Sequence, residues 1–161
     1  MLEKILTKQD CRKCKLCCKF QEDELIDAPT FTETEKNYII NNIEKKVNFI
    51  KKGSIYQIML EKKNNRYVCP LLTSNGCILG DKEPFDCKSW PYYIMKKNND
   101  YVITISNDCP VIKNKSEEEL KNYIKEEFLD ISKNIIKTCP DMITNYNRNL
   151  KILYTINKNE I

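Results

Sequence analysis

The chain has 161 residues and contains no histidine. Histidine is a frequent general acid or base in enzymes and the commonest metal ligand in proteins. Its absence excludes Ser-His-Asp and Cys-His catalytic sites, HExxH metalloproteases, His-ligated haem and the 2-His-1-carboxylate iron centre. Any metal that this chain binds must therefore be held by thiolates, carboxylates or backbone carbonyl groups.

Arginine and glycine are also scarce. Only three of the 27 basic residues are arginine, which is the usual reader of base edges. We therefore expect no nucleic-acid partner, despite the net charge of +4. The three glycines, Gly53, Gly76 and Gly80, are too scattered to form a glycine-rich cofactor loop of the S-adenosylmethionine type.

Long apolar runs are absent as well. No stretch approaches the ~20 apolar residues of a membrane-spanning helix, and the first residues contain no apolar run of signal-peptide length. We therefore expect a cytoplasmic protein without a membrane partner. Because thiols stay mostly reduced in that compartment, cysteines there indicate metal or redox chemistry rather than disulfides.

Cysteine, in contrast, is abundant, with nine in the chain. Cys11, Cys14, Cys17 and Cys18 lie within one stretch, residues 11–18. The C-x2-C-x2-C spacing lets three thiolates reach one small centre, as in bacterial ferredoxins. Such a density of cysteine predicts a loop wrapped round an ion. The odd total and the adjacent pair do not suit a disulfide framework.

The other cysteines occur singly. Cys69, Cys109 and Cys139 precede proline, which fixes φ and stiffens the chain beside a ligand. Cys77 and Cys87 lie in a turn-rich stretch. Four thiolates suit either tetrahedral zinc or a 4Fe–4S cluster, and one cluster, two clusters or a multinuclear zinc site all remain open. Burial as small apolar side chains is the other interpretation, and it suits Cys139 best.

The predicted fold class is α+β. Capping boxes at Thr32-x-x-Glu35 and Ser116-x-x-Glu119 predict two principal helices. Strand composition and asparagine turns predict two β-hairpins and a final strand. The helices are expected at about residues 33–51 and 116–137, the hairpins at 55–60 with 66–69 and 92–95 with 101–105, and the last strand at 150–156. We expect residues 1–161 to form one domain whose Cys-rich loops wrap round a metal centre.

The ordered motifs resemble those of the CxxCxxCC family, the YkgJ-type cysteine-cluster proteins, which are described as zinc- or iron-chelating. The resemblance covers about residues 10–110. Its motifs are Cys11-x2-Cys14-x2-Cys17-Cys18, Cys69-Pro70-Leu71-Leu72, Gly76-Cys77-Ile78 and Pro84-x-x-Cys87-Lys88-x-x-Pro91. It implies that the metal ligands are Cys11, Cys14, Cys17, Cys18, Cys69, Cys77 and Cys87. Cys109, which also precedes proline, is expected as an eighth.

Two positions depart from the family pattern. Glu83 stands where an arginine is usual, and Lys88 stands where an arginine often follows the cysteine. A lysine supplies a point charge but not the bidentate fork of a guanidinium group. Any role of those arginines in neutralising a cluster is therefore weaker here.

The function we favour is a metal-binding protein that holds an iron–sulfur cluster, or thiolate zinc, for electron transfer, sensing or metal handling. Its partner would be a redox or substrate protein. One alternative is an enzyme that uses the metal centre or a reactive cysteine, with Asp86-Cys87-Lys88 as the first place to look. Some relatives are described as flagellin lysine N-methylases, but they are much longer. Another alternative is a redox-silent zinc module that binds a partner. We also expect metal to order residues 70–91.

Overall fold

The structure is a computed structural model that describes residues 4–161. Its architecture is mixed α+β, as the sequence predicts, with short helices and several small sheets. The chain divides into two compact units. We call Lys8–Lys88 the thiol unit and Ser89–Ile161, with the described part of residues 1–7, the sheet unit. None of the helices in residues 4–161 is long and apolar enough to cross a membrane.

The thiol unit is built from short elements. Its helices are α1 (Lys8–Cys14), α2 (Glu33–Asn42) and α3 (Phe85–Ser89), the last of which ends on the first residue of the sheet unit. Its strands are β1 (Lys19–Phe20), β2 (Thr30–Phe31), β3 (Phe49–Lys52), β4 (Ile55–Ile58), β5 (Glu61–Lys63), β6 (Arg66–Val68), β7 (Leu72–Thr73) and β8 (Gly76–Cys77). They form antiparallel sheets in the orders β1-β6-β5, β2-β4-β3 and β7-β8.

The cysteine run 11–18 forms the end of a short helix and a 3-10 turn, so the expectation of a loop is wrong for this segment. Cys11 and Cys14 lie on α1, which ends where Lys15 adopts a left-handed conformation with φ of 54°. Leu16–Cys18 then forms a single 3-10 turn. The run contains no glycine or proline, and its lysine, arginine and leucine residues favour helix. Cysteine density alone therefore did not exclude a helix.

The predicted helix over 33–51 is too long. Its capping box is confirmed, because Thr32 Oγ1 accepts from the Glu35 backbone N–H. The helix ends at Asn42, however, and residues 49–52 form β3. Gly53, with φ of 60°, turns the chain so that β3 pairs with β4. Of the apolar residues that continued the helical pattern beyond Asn42, Ile43 caps the helix and packs with Val47 against the core, and Ile50 is exposed on β3.

The first predicted hairpin has the right turn and the wrong partner strand. Asn64 adopts φ of 55° at the turn, which asparagine tolerates better than most residues. Strand β6 pairs across this turn with β5, and not with residues 55–60. Strand β4 instead lies at the centre of the sheet β2-β4-β3.

The core of the thiol unit includes cysteine. Its buried members are Ala28, Phe31, Ile39, Ile58, Cys69, Leu71 and Leu79, and Cys18 and Cys77 pack against them. Burial of each large side chain contributes about 1.5–3 kcal/mol. Leu71 and Leu79 come from the turn-rich segment 70–91, so apolar burial anchors that segment as well.

The sheet unit follows the predicted pattern more closely. Its elements are β9 (Tyr92–Lys97), β10 (Asp100–Ile105), α4 (Glu117–Tyr123), α5 (Leu129–Thr138), β11 (Thr144–Asn145) and β12 (Lys151–Ile156). The sheet order is β11-β9-β10-β12, so the second hairpin and the final strand are confirmed. Helices α4 and α5 are joined by the π-helical turn Ile124–Phe128, and the helix predicted over 116–137 is confirmed.

Aromatic side chains fill the core of the sheet unit. The Tyr92 ring lies 5.5 Å, between centroids, from both Tyr123 and Phe128. Phe128 is 0% exposed and Tyr92 is 1% exposed. Such contacts add to the free energy of burial, so this unit carries a conventional hydrophobic core.

Candidate metal centre

Strand pairing brings the first cysteines to Cys69. Cys17 and Cys18 form the 3-10 turn immediately before β1, and Cys69 immediately follows β6. Strands β1 and β6 are antiparallel partners, with Lys19 opposite Val68. The Cys69 backbone N–H consequently donates to the Cys18 carbonyl oxygen at 2.9 Å. The ladder thus joins two segments that are far apart in the sequence.

A tight hairpin brings Cys77 back towards Cys69. The Leu72 N–H donates to the Cys69 carbonyl at 3.0 Å, so the chain turns directly after Cys69. Leu72 then pairs with Cys77 across β7 and β8, and Ile78 N–H donates to the Leu71 carbonyl at 2.9 Å. This hairpin is only two residues on each side, and buried Leu71 and Leu79 hold it to the core.

Two carboxylates position α3, which carries Cys87. The Asp86 carboxylate accepts from both the backbone N–H and the hydroxyl of Thr30, each at 2.8 Å. The Glu35 carboxylate accepts from the Phe85 N–H at 2.9 Å. Burial keeps the pKa of Asp86 above its ordinary value, against the hydrogen bonds from Thr30. Asp86 therefore fixes the position of α3, and with it the position of Cys87.

The five thiols of Cys17, Cys18, Cys69, Cys77 and Cys87 lie close enough for their charges to act on one another. We call these five residues the thiol cluster. Burial raises the pKa of Cys69 to about 11 and of Cys77 to about 12, and neighbouring thiolates add to both shifts. Burial also raises the pKa of Cys87 well above its ordinary value, with further contributions from Asp86 and Cys69. Without a cation, the cluster therefore favours protonated thiols.

The adjacent pair behaves differently. The Cys18 thiol donates a hydrogen bond to the Cys17 sulfur, which lowers the pKa of Cys17 and raises that of Cys18. Of the two thiols, Cys17 is therefore the one that ionises more readily. The nearby charge of Glu83 raises the pKa of Cys17 and so opposes ionisation of that thiol.

Glu83 is the member of the site that sequence reasoning did not place among the ligands. Its carboxylate accepts a hydrogen bond from the Cys77 thiol. Burial raises the pKa of Glu83, while the charges of Lys88, Lys8 and Arg12 favour its ionised form. The signal in the sequence was its position, four residues before Cys87.

Cys11 and Cys14 belong to the same unit but are exposed. They lie on α1, which buries none of its residues. Cys109 and Cys139 belong to the sheet unit. Cys109 is 2% exposed, whereas half-buried Cys139 caps α5 by donating its N–H to the Ile135 carbonyl at 2.8 Å.

The cluster is not arranged as a finished coordination sphere. Within residues 4–161, no group of three or more Cys, Asp or Glu side chains could hold a metal ion as the side chains stand. All nine cysteines are present as thiols. The backbone brings the five thiols of the cluster together, and ligation requires their side chains to rotate towards a common point.

Comparison with known proteins gave no match. No family model matches the chain, and no curated protein or solved structure is significantly similar to it. The fold and site define an α+β protein with a partly buried thiol cluster and an exposed pair of cysteines beside it.

Proposed function

We propose that the thiol unit binds metal through its clustered cysteines, as an iron–sulfur cluster or as thiolate-bound zinc. Seven cysteines are proposed to bind metal, in the final site or while it is being loaded: Cys11, Cys14, Cys17, Cys18, Cys69, Cys77 and Cys87. The resemblance to YkgJ-type proteins leads to the same set. Of the two metal forms, the C-x2-C-x2-C run favours iron–sulfur. The activity that this chemistry serves is electron transfer, sensing or metal handling with a protein partner.

One observation carries the proposal: four separate segments deliver five thiols to one partly buried region. Burial opposes ionisation of Cys69, Cys77 and Cys87. A bound cation reverses this, because metal ligation deprotonates thiols and offsets their mutual repulsion. The donor set is sulfur-rich and contains one carboxylate, Glu83, which suits zinc or iron rather than magnesium or calcium.

The experiment is to purify the protein anaerobically and measure zinc, iron and acid-labile sulfide per chain. The Cys77→Ser variant should lose most of the bound metal. The Cys139→Ser variant is the matched control, because Cys139 caps a helix in the sheet unit and should leave the metal content unchanged. Cys109→Ser tests the eighth predicted ligand in the same assay.

The outcomes separate the alternatives. Iron and sulfide in similar amounts, with a visible absorption band lost in Cys77→Ser, would support a cluster. Zinc without sulfide would support a redox-silent module that binds a partner. A wild-type protein without stoichiometric metal after reconstitution with either ion would overturn the proposal.

Thiol chemistry at Cys17 is a second candidate function. The hydrogen bond from Cys18 lowers the pKa of Cys17, as expected for a nucleophilic thiol. Cys87 fits this role poorly, because burial raises its pKa and Lys88 does not offset that effect. Metal-free protein should then react with iodoacetamide at Cys17 before Cys87, and Cys18→Ala, which removes the hydrogen-bond donor, should slow the reaction at Cys17. Equal labelling of the two would contradict this candidate.

A further inference from the structure

The two cysteines of α1 differ from the thiol cluster in their exposure. Cys11 and Cys14 are exposed on a helix without buried residues, whereas Cys69 is 6% exposed. They are three residues apart in a helix, and this spacing places both side chains on one face. They form a dithiol that an ion can reach directly from solvent.

Three contacts tie α1 to residues 74–81, the segment that contains Cys77. Lys8, at the first residue of α1, forms an ion pair with Asp81. Lys15, just after the helix, donates to the Ser74 carbonyl oxygen. The dithiol is therefore attached at both ends of its helix to a segment of the thiol cluster.

The third contact lies in the middle of the helix, where Arg12 packs against Gly76. A Cβ added to Gly76 would lie 2.9 Å from Cγ of Arg12, so the Arg12 side chain covers the Gly76 backbone where only glycine fits. Arg12 lies between Cys11 and Cys14 in the helix, and Gly76 precedes Cys77. Packing at one point thus joins the exposed dithiol to a residue next to the cluster.

We propose that Cys11 and Cys14 are the acceptor site for a thiophilic divalent cation, which then passes to the thiol cluster by ligand exchange. This inference rests on the proposed metal-binding function. Two protons leave as the ion binds the dithiol. When two cluster thiols replace Cys11 and Cys14, their two protons go to the departing sulfur atoms. Each further cluster thiol that binds the ion releases its proton to solvent, and no electrons are transferred. Loading thereby begins at exposed ligands and ends at buried ones.

The test follows zinc transfer from a chelated donor, zinc nitrilotriacetate, to the metal-free full-length protein. The Cys11→Ser/Cys14→Ser variant should reach the wild-type zinc content but load about 100-fold more slowly. The reason is that capture at the dithiol makes the next ligand exchange intramolecular. Circular dichroism checks that this variant folds.

The glycine variants provide a second measurement. Gly76→Ala places a methyl group against Arg12, whereas Gly80→Ala has nothing within 4 Å of its new Cβ. Both positions have positive φ, 104° and 54°, so both variants carry backbone strain. Gly76→Ala should slow loading by separating α1 from Cys77, and Gly80→Ala should load at the wild-type rate.

Three results would overturn the inference. Unchanged loading in Cys11→Ser/Cys14→Ser would remove the acceptor role. A lower zinc content at equilibrium in that variant would make the pair permanent ligands, and the proposed function would stand. Absence of stoichiometric zinc or iron in the wild-type protein would instead remove the proposed function, and the acceptor role with it.

Discussion

The thiol unit and the sheet unit bury their side chains in different ways. The strands of the sheet unit reach six residues, while those of the thiol unit do not exceed four. Among residues 4–161, the exposed large hydrophobic side chains all lie in the thiol unit. They are Leu16, Leu25, Ile26, Tyr38, Ile40, Ile50, Met59 and Ile78. The sheet unit therefore completes its apolar burial more fully than the thiol unit.

The difference concerns what cysteine does in each unit. Buried Cys109 of the sheet unit lies in a region rich in conventional core residues. In the thiol unit, Cys69 is a core member, and Cys18 and Cys77 pack against the core. These side chains serve as packing groups and as candidate ligands at once. Metal binding and folding should therefore be linked in the thiol unit and independent in the sheet unit.

The largest expected effect is in the aromatic core of the sheet unit. Phe128→Ala should lower the free energy of unfolding by about 3–5 kcal/mol, because it empties a fully buried position packed against Tyr92 and Tyr123. Urea denaturation followed by Trp90 fluorescence measures this change. At temperatures where the variant is folded, its metal content should equal that of the wild type. Loss of metal from folded Phe128→Ala would contradict the proposed independence of the two units.

Ile26→Ala, at a side chain that is 75% exposed, is the control and should change stability by less than about 0.5 kcal/mol.

Removal of the metal, in contrast, should loosen the thiol unit and leave the sheet unit unchanged. A ligand present at 100 times its dissociation constant stabilises the folded state by about 2.7 kcal/mol. Chelation should therefore increase amide hydrogen exchange in the thiol unit, most of all in residues 70–91. Exchange in β9, β10 and β12 should stay unchanged. Equal loosening of both units would show that the metal is not specific to the thiol unit, and unchanged exchange in residues 70–91 would contradict metal-linked order there.

Alkaline pH should weaken the metal-free thiol unit first. Folding raises the pKa of Cys69 to about 11 and of Cys77 to about 12 from an ordinary value of 9.0. The unfolded chain loses these protons first, so the stabilisation is present below pH 9 and is lost as pH rises through 11 and 12. Burial also raises the pKa of Tyr92 and Tyr123 above their ordinary value of 10.0. The sheet unit should therefore respond later.

Methyl NMR signals of Leu71 and Ile103 report the two units during this titration. The Leu71 signal should change at lower pH than the Ile103 signal. Bound metal should remove the early change, because ligated thiols are already deprotonated. Simultaneous change of both signals in the metal-free protein would contradict the assignment to the cysteines.

The sheet unit was also the part that the sequence predicted best. The strands of its hairpin bury most of their residues, and Asn98 adopts φ of 54° at the turn. Its long helix has both a capping box and a continuous apolar face. Local signals and long-range packing agree there, and this agreement is what makes a pattern informative.

In the thiol unit, local and long-range signals disagree. The helical spacing after Asn42 competes with pairing of β3 to β4, and tertiary contacts decide in favour of the strand. Strand β6 also pairs with β1, which lies almost 50 residues earlier in the sequence. The cysteines were predicted to act together from their motifs. Their convergence depends on this pairing and on the anchoring of α3, neither of which spacing reveals.

The smallest predicted effect compares two capping boxes that have the same sequence signature. Glu119 accepts from the Ser116 N–H at 2.8 Å, and its other oxygen accepts from the ammonium group of Lys115. Glu119→Ala should therefore cause only a small loss of stability and leave metal binding unchanged. Glu35 accepts from the Thr32 N–H at 2.8 Å, but its second oxygen also accepts from the Phe85 N–H at the start of α3.

Glu35→Ala should cost about 1 kcal/mol more than Glu119→Ala, because it leaves a partly buried Phe85 N–H without its acceptor. It should also lower the affinity for metal, since α3 carries Cys87. Glu35→Gln keeps an oxygen for one of the two donors and should fall between the wild type and Glu35→Ala. Thermal denaturation and zinc titration of the three variants provide both readouts. If Glu35→Ala and Glu119→Ala proved equal in both, the hydrogen bond to Phe85 would not couple the α2 cap to Cys87. The two capping boxes would then contribute equally, and the two units would differ only in the chemistry of their cysteines.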